Sequence, residues 1–335
     1  MTKVTQADLF GGIHSMVREH GAKGAVAVAR DAANDLAAGQ VIAPHVRILA
    51  GRNGRKLADS AAASIIRDHE HDHEVGYSYS AWCLAGLPHR DHPPGEDWLI
   101  ETDYAQMLVR PGVRVNDDGT RDALSVPTGT LARLLLIDWQ TEAYETRNRT
   151  IVLGSNPNAL LRRLGLTRGG PVSRKLADQL ERLCRCGLDF KIGTDRQGVI
   201  VNERLVEAFH YTTEEDPRTK RPTRMIERLT LSEAFFRELV AHPVRVDRKA
   251  ISEIQTSPRA IDAYLWLSYR LPALTRETDV SWSALWRQFG RERTLRSFRD
   301  EFREPLQLAL SVYQSAKVGI TEKGVRLAPS PAPVP

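Results

Sequence analysis

Leucine and valine positions with helical spacing predict two consecutive helices between residues 156 and 186. Asn156 followed by Pro157 is typical of a helix start, and Gly165 predicts the end of that helix. The second helix covers about 172–186. Its inward face is formed by Val172, Leu176, Leu180 and Leu183. Two short apolar runs then flank the polar turn 194–197 and predict a β-hairpin.

The same order of elements returns near the C-terminus. The predicted elements are helices over 257–271, 281–289 and 292–313, then strands over 318–321 and 325–327. Gly290 predicts the end of the short helix, and Pro305 predicts a kink in the long one. Two helices followed by a hairpin form a helix-turn-helix with a wing, so the sequence predicts two winged-helix domains.

The remaining pattern predicts an α+β fold with tandem winged-helix domains and a helical N-terminal extension. The other predicted helices cover 25–38, 57–67, 128–145, 232–241 and 249–255, and the other strands cover 98–102, 106–111, 150–153, 225–231 and 244–247. The predicted domain bounds are 1–80 for the extension, 81–212 and 222–328 for the winged-helix domains, 213–221 for a linker and 329–335 for a disordered tail.

Composition narrows the class of protein. Of the 335 residues 41% are hydrophobic, which is enough for buried cores, and the net charge is +5. No apolar run approaches the roughly 18 residues of a membrane span, and residues 1–6 lack the apolar core of a signal peptide. With an odd cysteine count and Cys184 and Cys186 only two positions apart, a disulfide framework is not expected, so we expect a cytoplasmic protein.

Basic residues are concentrated on the second helix of each pair. Exposed arginine can bind guanine edges with two hydrogen bonds, and glutamine can bind adenine. The predicted base-reading residues are Arg174, Lys175, Gln179, Arg182, Arg293, Arg296, Arg299 and Arg303. The predicted phosphate-binding residues are Arg168, Lys191, Arg196, Arg291, Lys317, Lys323 and Arg326. The alternative is a pair of solvated amphipathic helices of mixed charge, but the repeated order of elements favours DNA binding.

Four short groups of polar residues or cysteines offer other chemistry. His69, His71 and His73 alternate with acidic residues, which predicts a solvated segment and leaves open a metal site or, with Tyr77 and Tyr79, a rolling-circle nickase. Cys83 with His89 and His92 lacks a fourth ligand and predicts a buried cysteine beside a polar turn, and Cys184 and Cys186 predict packing. The basic turn 51–56 predicts a solvated loop, with DNA contact as the alternative. The chain has no phosphate loop or dinucleotide motif, so we expect no enzyme activity, cofactor or bound metal.

Several short motifs resemble one family. They include the segments 128–136, 142–146 and 153–155, Leu164-Gly165-Leu166, Gly169-Gly170, Ser257-Pro258-Arg259-Ala260-Ile261-Asp262-Ala263-Tyr264-Leu265-Trp266-Leu267, Trp282-x-x-Leu285-x-x-Gln288-Phe289-Gly290 and Phe298-Arg299-x-x-Phe302. In this order and spacing over about 80–330, they resemble the RepA-type replication initiators encoded on broad-host-range bacterial plasmids.

The resemblance implies two winged-helix domains that bind repeated sites, called iterons, at a plasmid origin. Such proteins help to open the duplex and recruit the host helicase and initiator proteins, without cleaving DNA. It also implies plasmid copy control and a monomer–dimer equilibrium in which the dimer represses its own promoter. A transcriptional repressor with the same folds is the main alternative, and a nickase is the weaker one.

Overall fold

The chain folds into two units, and the first unit is assembled from both ends of the sequence. The first unit contains residues 1–75 and 245–335, and the second contains 76–244. The structure is a computed structural model, and it describes residues 7–34, 42–103, 105–116, 118–167, 169–193, 198–215, 222–290 and 293–334. The division differs from the predicted domain bounds in two main respects. The predicted N-terminal extension shares a unit with the C-terminal module, and residues 222–244, predicted as the start of the second winged-helix domain, belong to the second unit.

The N-terminal part of the first unit is helical. Its elements are α1 (Ala7–Asn34), α2 (Pro44–Ala50) and α3 (Gly54–Glu70). Helix α1 starts well before the predicted residue 25, and it breaks at Gly21, whose φ of 67° is left-handed. Glycines at 11, 12, 21 and 24 lower the local helix propensity, but buried Ile13 and Val17 hold the first half of α1 against the unit.

The second unit mixes helices and antiparallel sheets. Its elements in chain order are β1 (Val75–Tyr79), α4 (Ser80–Leu84), β2 (Trp98–Glu101), β3 (Ala105–Arg110), β4 (Val113–Val115), β5 (Arg121–Ala123), α5 (Gly129–Thr146), β6 (Thr150–Val152), α6 (Pro157–Arg163), α7 (Gly170–Arg185), β7 (Gly187–Gly193), β8 (Gly198–Arg204), β9 (Val206–Glu215), β10 (Pro222–Leu231) and α8 (Glu233–Ala241). The sheet orders are β2-β3-β7-β8, β6-β10-β9 and β4-β5.

Helix α5 lies in the core of the second unit, with Leu135, Trp139 and Ala143 fully buried. The start of α6 follows the sequence prediction, since the Asn156 side chain accepts hydrogen bonds from the backbone N–H groups of residues 158 and 159. Strands β7 and β8 form the predicted hairpin, whose turn at 194–197 lies outside the described residues. Local capping and turn signals were therefore sufficient for these elements.

Strands β9 and β10 replace part of the predicted linker. They pair antiparallel, with register partners running from Val206 opposite Leu231 to Glu215 opposite Pro222. Residues 213–215, predicted as linker, therefore belong to a strand, and 216–221 lie outside the described residues. The charged Thr-Thr-Glu-Glu end of β9 has no apolar alternation, so its pairing with β10 could not be predicted from hydrophobicity.

The C-terminal part of the first unit follows the predicted order of elements closely. They are β11 (Pro243–Asp247), where the chain re-enters the unit, α9 (Arg248–Ile254), α10 (Pro258–Arg270), β12 (Thr278–Ser281), α11 (Trp282–Phe289), α12 (Leu295–Glu301), α13 (Arg303–Ser311), β13 (Val318–Ile320) and β14 (Gly324–Leu327). The sheet order is β12-β14-β13, with antiparallel pairs. Ile261, Tyr264 and Leu267 of α10 are fully buried and form the centre of this part.

The predicted long helix over 292–313 is wrong as a single element, because it is divided into α12 and α13 at Phe302. Pro305 has no N–H to donate to the carbonyl of Glu301, so the hydrogen-bond ladder is interrupted one turn before the proline. Fully buried Phe298 and Phe302 stack with their ring centroids 4.8 Å apart, and they fix both helices to the core.

The predicted disordered tail is also wrong for its described part, residues 329–334. The Tyr313 hydroxyl donates to the Pro331 carbonyl at 2.7 Å, and the Ser330 hydroxyl accepts from the Lys317 N–H at 2.9 Å. Val334 is 1% exposed. Proline-rich composition predicts no regular secondary structure, but it does not prevent a segment from packing against the fold.

Candidate nucleic-acid interface

Helix α7 presents its basic residues on one side and its leucines on the other. Leu176, Leu180 and Leu183 are buried, as their spacing predicts. The helix packs against α5 and the β9–β10 hairpin. Arg174 and Lys175 are exposed, in the first half of the helix. Two of the four predicted base-reading side chains of this helix are thus open to solvent.

Gln179 and Arg182 have structural contacts instead. Gln179 is 6% exposed, and its Oε1 accepts a hydrogen bond of 2.8 Å from the Thr128 N–H. Arg182 Nε lies 3.0 Å from an oxygen of Asp178, and its Nη1 donates to the Val126 carbonyl at 3.4 Å. These contacts attach α7 to the segment before α5, so their positions do not fit base reading. The helical pattern could not show the contacts with Thr128 and Val126, because these two residues are some fifty positions away in sequence.

Arg163, which the sequence also places in this basic region, is held by acidic partners on α5. Its guanidinium lies 2.6 Å from Asp138, which is 5% exposed at the side chain, and 3.5 Å from Glu142. Such a partly buried pair fixes α6 against α5. Arg162 next to it is exposed on the same short helix.

The predicted phosphate-binding residues around α7 are only partly described. Lys191 lies on β7, is half-buried and has an interaction partner. Arg168 and Arg196 lie outside the described residues, as does Arg291 beside α12. Their predicted roles stay predictions.

Helix α12 carries the second set of predicted base-reading residues. Arg296 and Arg299 are exposed and line an open surface concavity with Leu295 and Asp300. Thr294 caps the helix by accepting from the Ser297 N–H. Together with the buried Phe298, this cap fixes the direction in which Arg296 and Arg299 project.

Arg293 and Arg303 flank α12 and differ in their contacts. Arg293 lies 3.5 Å from Glu301, which also accepts from Arg259 at 3.1 Å. Arg303 is exposed, with its guanidinium carbon 5.8 Å from the ring centroid of Trp282. Arg293 is therefore the more constrained of the two.

The β13–β14 hairpin is attached to the start of α11. The Trp282 N–H donates to the Lys323 carbonyl at 3.1 Å, and its indole N–H donates to the Glu322 carbonyl at 3.1 Å. The Lys317 and Lys323 side chains are exposed. Arg326 is exposed too, but it forms a two-bond pair with Asp279 on β12 at 2.8 and 3.1 Å. The hydrogen bonds from Arg326 lower the pKa of Asp279.

The histidine cluster does not form a metal site within the described residues. His69 and His71 are exposed, as expected for a solvated segment, but His73 is not. The Nδ1 of His73 lies 2.9 Å from Asp247, which also forms a buried ion pair of 2.8 Å with Arg67. Asp247 caps α9 by accepting from the N–H groups of residues 249 and 250. His73 is therefore part of an ionic network that joins α3 to α9.

The two tyrosines weighed as nickase nucleophiles lie in different surroundings. Tyr79 is 1% exposed and makes edge contacts with Phe190 and Phe235. Burial raises the pKa of Tyr79 to about 12, which disfavours the phenolate that attack would require. Tyr77 stacks on Tyr144 with ring centroids 4.0 Å apart. Neither arrangement resembles an accessible nucleophile.

All three cysteines are buried and free, as their apolar surroundings predict. Burial raises the pKa of Cys184 well above its usual value and that of Cys186 to about 12. These thiols are inert packing groups in the folded chain.

A known protein family matches the region of the chain that contains α7. The model described as plasmid encoded RepA protein matches residues 126–288. This segment is similar to the family of plasmid-encoded RepA proteins. The resemblance predicted from the sequence is thereby confirmed. The RepA segment runs from just before α5 to the end region of α11, so it includes α7 and stops before α12.

One solved structure resembles the fold over three quarters of this chain. A crystal structure of selenomethionine derivatives of domain 2 and domain 3 of RctB has a TM-score of 0.50 and 14% identity, covering 75% of this chain and 98% of that one. A second structure of RctB domains 2–3 has a TM-score of 0.42 and 13% identity, covering 71% and 83%. The first likeness shows a shared mixed helix-and-sheet fold. Comparison with curated proteins gave no significant match.

The helices of the described part of the chain bear on the prediction that the protein does not span a membrane. None of these helices combines the length and apolar character that crossing a bilayer requires.

The RepA match supports a role in plasmid replication that starts at an origin.

Proposed function

We propose that the protein is a sequence-specific DNA-binding replication initiator that binds repeated sites at a plasmid origin. The observation that carries the proposal is the RepA match over 126–288, because this segment includes the exposed basic face of α7. Exposed arginines on α12, outside the matched segment, supply a second surface of the same kind.

Two winged-helix modules account for both surfaces. In the C-terminal module, β12 precedes α11 and α12 and pairs with β14 of the following hairpin, and this order supports the proposed winged helix. In the first module, the α6–α7 pair is followed by the β7–β8 hairpin, which continues into β3 and β2. Helix α7 and helix α12 are the proposed recognition helices, each in a major groove.

The exposed basic residues are assigned to two kinds of DNA contact, with base edges and with phosphates. Arg174, Lys175, Arg296 and Arg299 are exposed on the recognition helices and are assigned to base edges. Lys317 and Lys323 lie beside or on the C-terminal wing and are assigned to phosphates. Two modules on one chain raise each other's effective concentration at adjacent grooves, which favours a bipartite site.

The proposal includes duplex opening and recruitment of host helicase and initiator proteins, and it assigns no catalytic step to this chain. The burial of Tyr79 supports that choice over a nickase. Autoregulation by a dimer at the chain's own promoter is compatible with the same recognition helices.

Selection of bound duplexes from a random pool at about 150 mM salt tests the proposal, since this salt suppresses non-specific phosphate binding. We expect a motif with two conserved blocks about one helical turn, roughly 10–10.5 bp, apart. Tandem copies of the motif beside the gene indicate an initiator, whereas one or two copies at a promoter indicate a repressor.

The double variant Arg174→Ala with Arg299→Ala is the matched test of the two helices, and Arg237→Ala on α8 is the control for loss of an exposed charge. We expect the double variant to lose enrichment and the control to keep it. A pool in which wild-type protein enriches no motif would rule out the proposal.

A further inference from the structure

The helix pair α2–α3 in the N-terminal part of the first unit has the build of a helix-turn-helix. Helix α2 and helix α3 are joined by only three residues, 51–53, beginning with Gly51. A turn of three or four residues that contains glycine is the usual connection in this motif. The Gly51 N–H donates to the Ile48 carbonyl and the Gly54 N–H donates to the Gly51 carbonyl, so the turn is closed by its own backbone.

The two helices approach each other closely at this turn. A Cβ built on Gly54 would lie 1.8 Å from the Leu49 carbonyl oxygen, so only glycine fits there. Leu49, Leu57 and Ala58 are buried beneath the turn. Both helices also pack against α1, and α3 packs against α13. The outer surface of the turn is therefore held by a packed helical base, unlike the solvated loop that the sequence predicted.

That outer surface is basic. Arg47 on α2, Arg52 in the turn and Arg55 on α3 are exposed, and Lys56 is half-exposed. Between residues 44 and 58 the sequence contains these four basic residues and no acidic one. Asp59 follows, and its carboxylate lies 2.8 Å from Arg55 in an exposed i,i+4 pair.

The charge at the start of α3 is opposite to the one that stabilises a helix start, whereas Arg47 at the end of α2 and Arg67 at the end of α3 are favourably placed. Acidic residues are favourable in the first turn of a helix and basic residues in the last, by about 0.3–1 kcal/mol each. Helix α3 has Arg55 and Lys56 but no acidic residue in its first turn, whereas Asp68 and Glu70 lie in its last turn. Helix stability therefore does not explain Arg55 and Lys56 at the start of α3, and a ligand that carries negative charge does.

We propose that the α2–α3 surface, defined by Arg47, Arg52, Arg55 and Lys56, is a third DNA-contacting surface that binds the phosphates of duplex DNA beside the principal site. The inference extends the proposed function and rests on it for the identity of the ligand. Because the four basic side chains are distributed over both helices and the turn, they suit a polyanion rather than a single small anion. The surface contributes affinity and a longer footprint rather than sequence choice.

The test compares wild-type protein with the variant Arg47→Ala, Arg52→Ala, Arg55→Ala on two duplexes. One duplex holds only the selected motif, and the other adds about two helical turns, roughly 21 bp, of arbitrary sequence on each side. Binding is measured over a series of salt concentrations. The matched control is Arg30→Ala, Arg237→Ala, Arg245→Ala, which removes the same charge from three exposed positions elsewhere.

We expect the triple variant to bind the long duplex at least tenfold more weakly and to reduce the slope of log K against log salt by about 2–3. Its affinity for the short duplex and its selected motif should stay close to those of wild type. The control should keep the wild-type slope, and the version with Lys in place of the three arginines should recover most of the affinity, because lysine binds phosphate as a point charge.

Equal slopes for the triple variant and wild type on the long duplex would overturn the inference while leaving the proposed function intact. If wild type selects no motif, two duplexes of the same lengths and arbitrary sequence are compared instead, and a reduced slope on the longer one would reject the proposed function and keep a DNA-binding surface at α2–α3. A wild-type protein that binds neither duplex would reject both. Thermal unfolding checks that the triple variant is folded, and Arg52→Glu, a single change in the exposed turn, repeats the test with minimal disturbance.

Discussion

At the scale of single residues, neighbouring basic and polar side chains on one helix have different tasks. On α7, Arg174 is exposed, whereas Gln179 is buried and bonded to the Thr128 N–H. Both follow the same helical pattern of polar positions. What separates them is the segment 126–128, which covers one side of the helix and which sequence periodicity cannot place.

The pair Arg174→Ala and Gln179→Ala makes this difference measurable. We expect Arg174→Ala to cost about 1–3 kcal/mol of specific binding and to change the selected bases, with unfolding unaffected. Gln179→Ala leaves a buried N–H without its acceptor, so we expect about 1–3 kcal/mol less stability and an unchanged motif. Denaturant unfolding and duplex selection on both variants check this. Loss of base preference in Gln179→Ala alone would reverse the two roles.

Lys323 in the C-terminal wing is predicted to affect DNA binding independently of the DNA sequence. Its side chain is exposed and its carbonyl accepts from Trp282, so Lys323→Ala should leave the hairpin in place. We expect weaker binding to cognate and scrambled duplexes alike, with a salt slope smaller by about 1. A change in the preferred sequence would contradict a phosphate role.

The buried thiols predict resistance to alkylation. Because burial raises the pKa of Cys186 to about 12 and also raises that of Cys184, little thiolate is present at pH 8. We expect both cysteines to react with iodoacetamide only after unfolding, as followed by mass spectrometry. Rapid labelling of the native protein would show that α7 detaches readily from its core.

At the scale of elements, caps, turns and hairpins were predictable, and long-range packing was not. The Asn156 cap is present as the sequence indicates. The early start of α1 and the pairing of β9 with β10 depend on partners distant in sequence. The division of the last helix at Phe302 combines a local cause, Pro305, with the packing of two phenylalanines, so only its neighbourhood was predictable.

The position of α12 depends on one glycine. A Cβ on Gly290 would lie 2.3 Å from Cδ2 of the fully buried Phe298. Gly290→Ala should therefore displace α12, costing about 1–3 kcal/mol of stability through overpacking and weakening DNA binding as well. Gly11→Ala in α1, where a Cβ meets no atom within 4 Å, is the control and should be neutral or stabilising. Equal stability of the two variants, measured by denaturant unfolding, would exclude this role for Gly290.

At the scale of the whole molecule, the first unit needs both ends of the chain. His14 lies 3.1 Å from the Ser311 carbonyl, Arg67 donates to the Val312 carbonyl at 3.2 Å, and Arg67 also pairs with buried Asp247. Removing one partner of a buried ion pair typically costs about 3–5 kcal/mol. Hydrophobic patterns gave no sign of this arrangement, because each end has its own regular pattern.

The need for both ends of the chain predicts how a fragment of the first unit unfolds. We expect residues 245–335 alone to lack cooperative unfolding, because Asp247 then loses Arg67 and His73 and α13 loses α3. Adding residues 1–75 in trans, or linking them to the fragment, should restore a cooperative transition in calorimetry. A fragment that unfolds cooperatively by itself would show that the helical N-terminus is dispensable for this unit.

Because the first unit is assembled from both ends of the chain, it can be completed only after the second unit has been synthesised. Helices α1 to α3 leave the ribosome first, but α13 follows only after the whole second unit has been translated, which takes about ten seconds or more at roughly 5–20 residues per second. During that interval the apolar side chains of α1 and α3 that later contact α13 are uncovered and accessible to chaperones and proteases. A chain that terminates early never completes the unit that carries α12, so only full-length translation products gain both recognition helices.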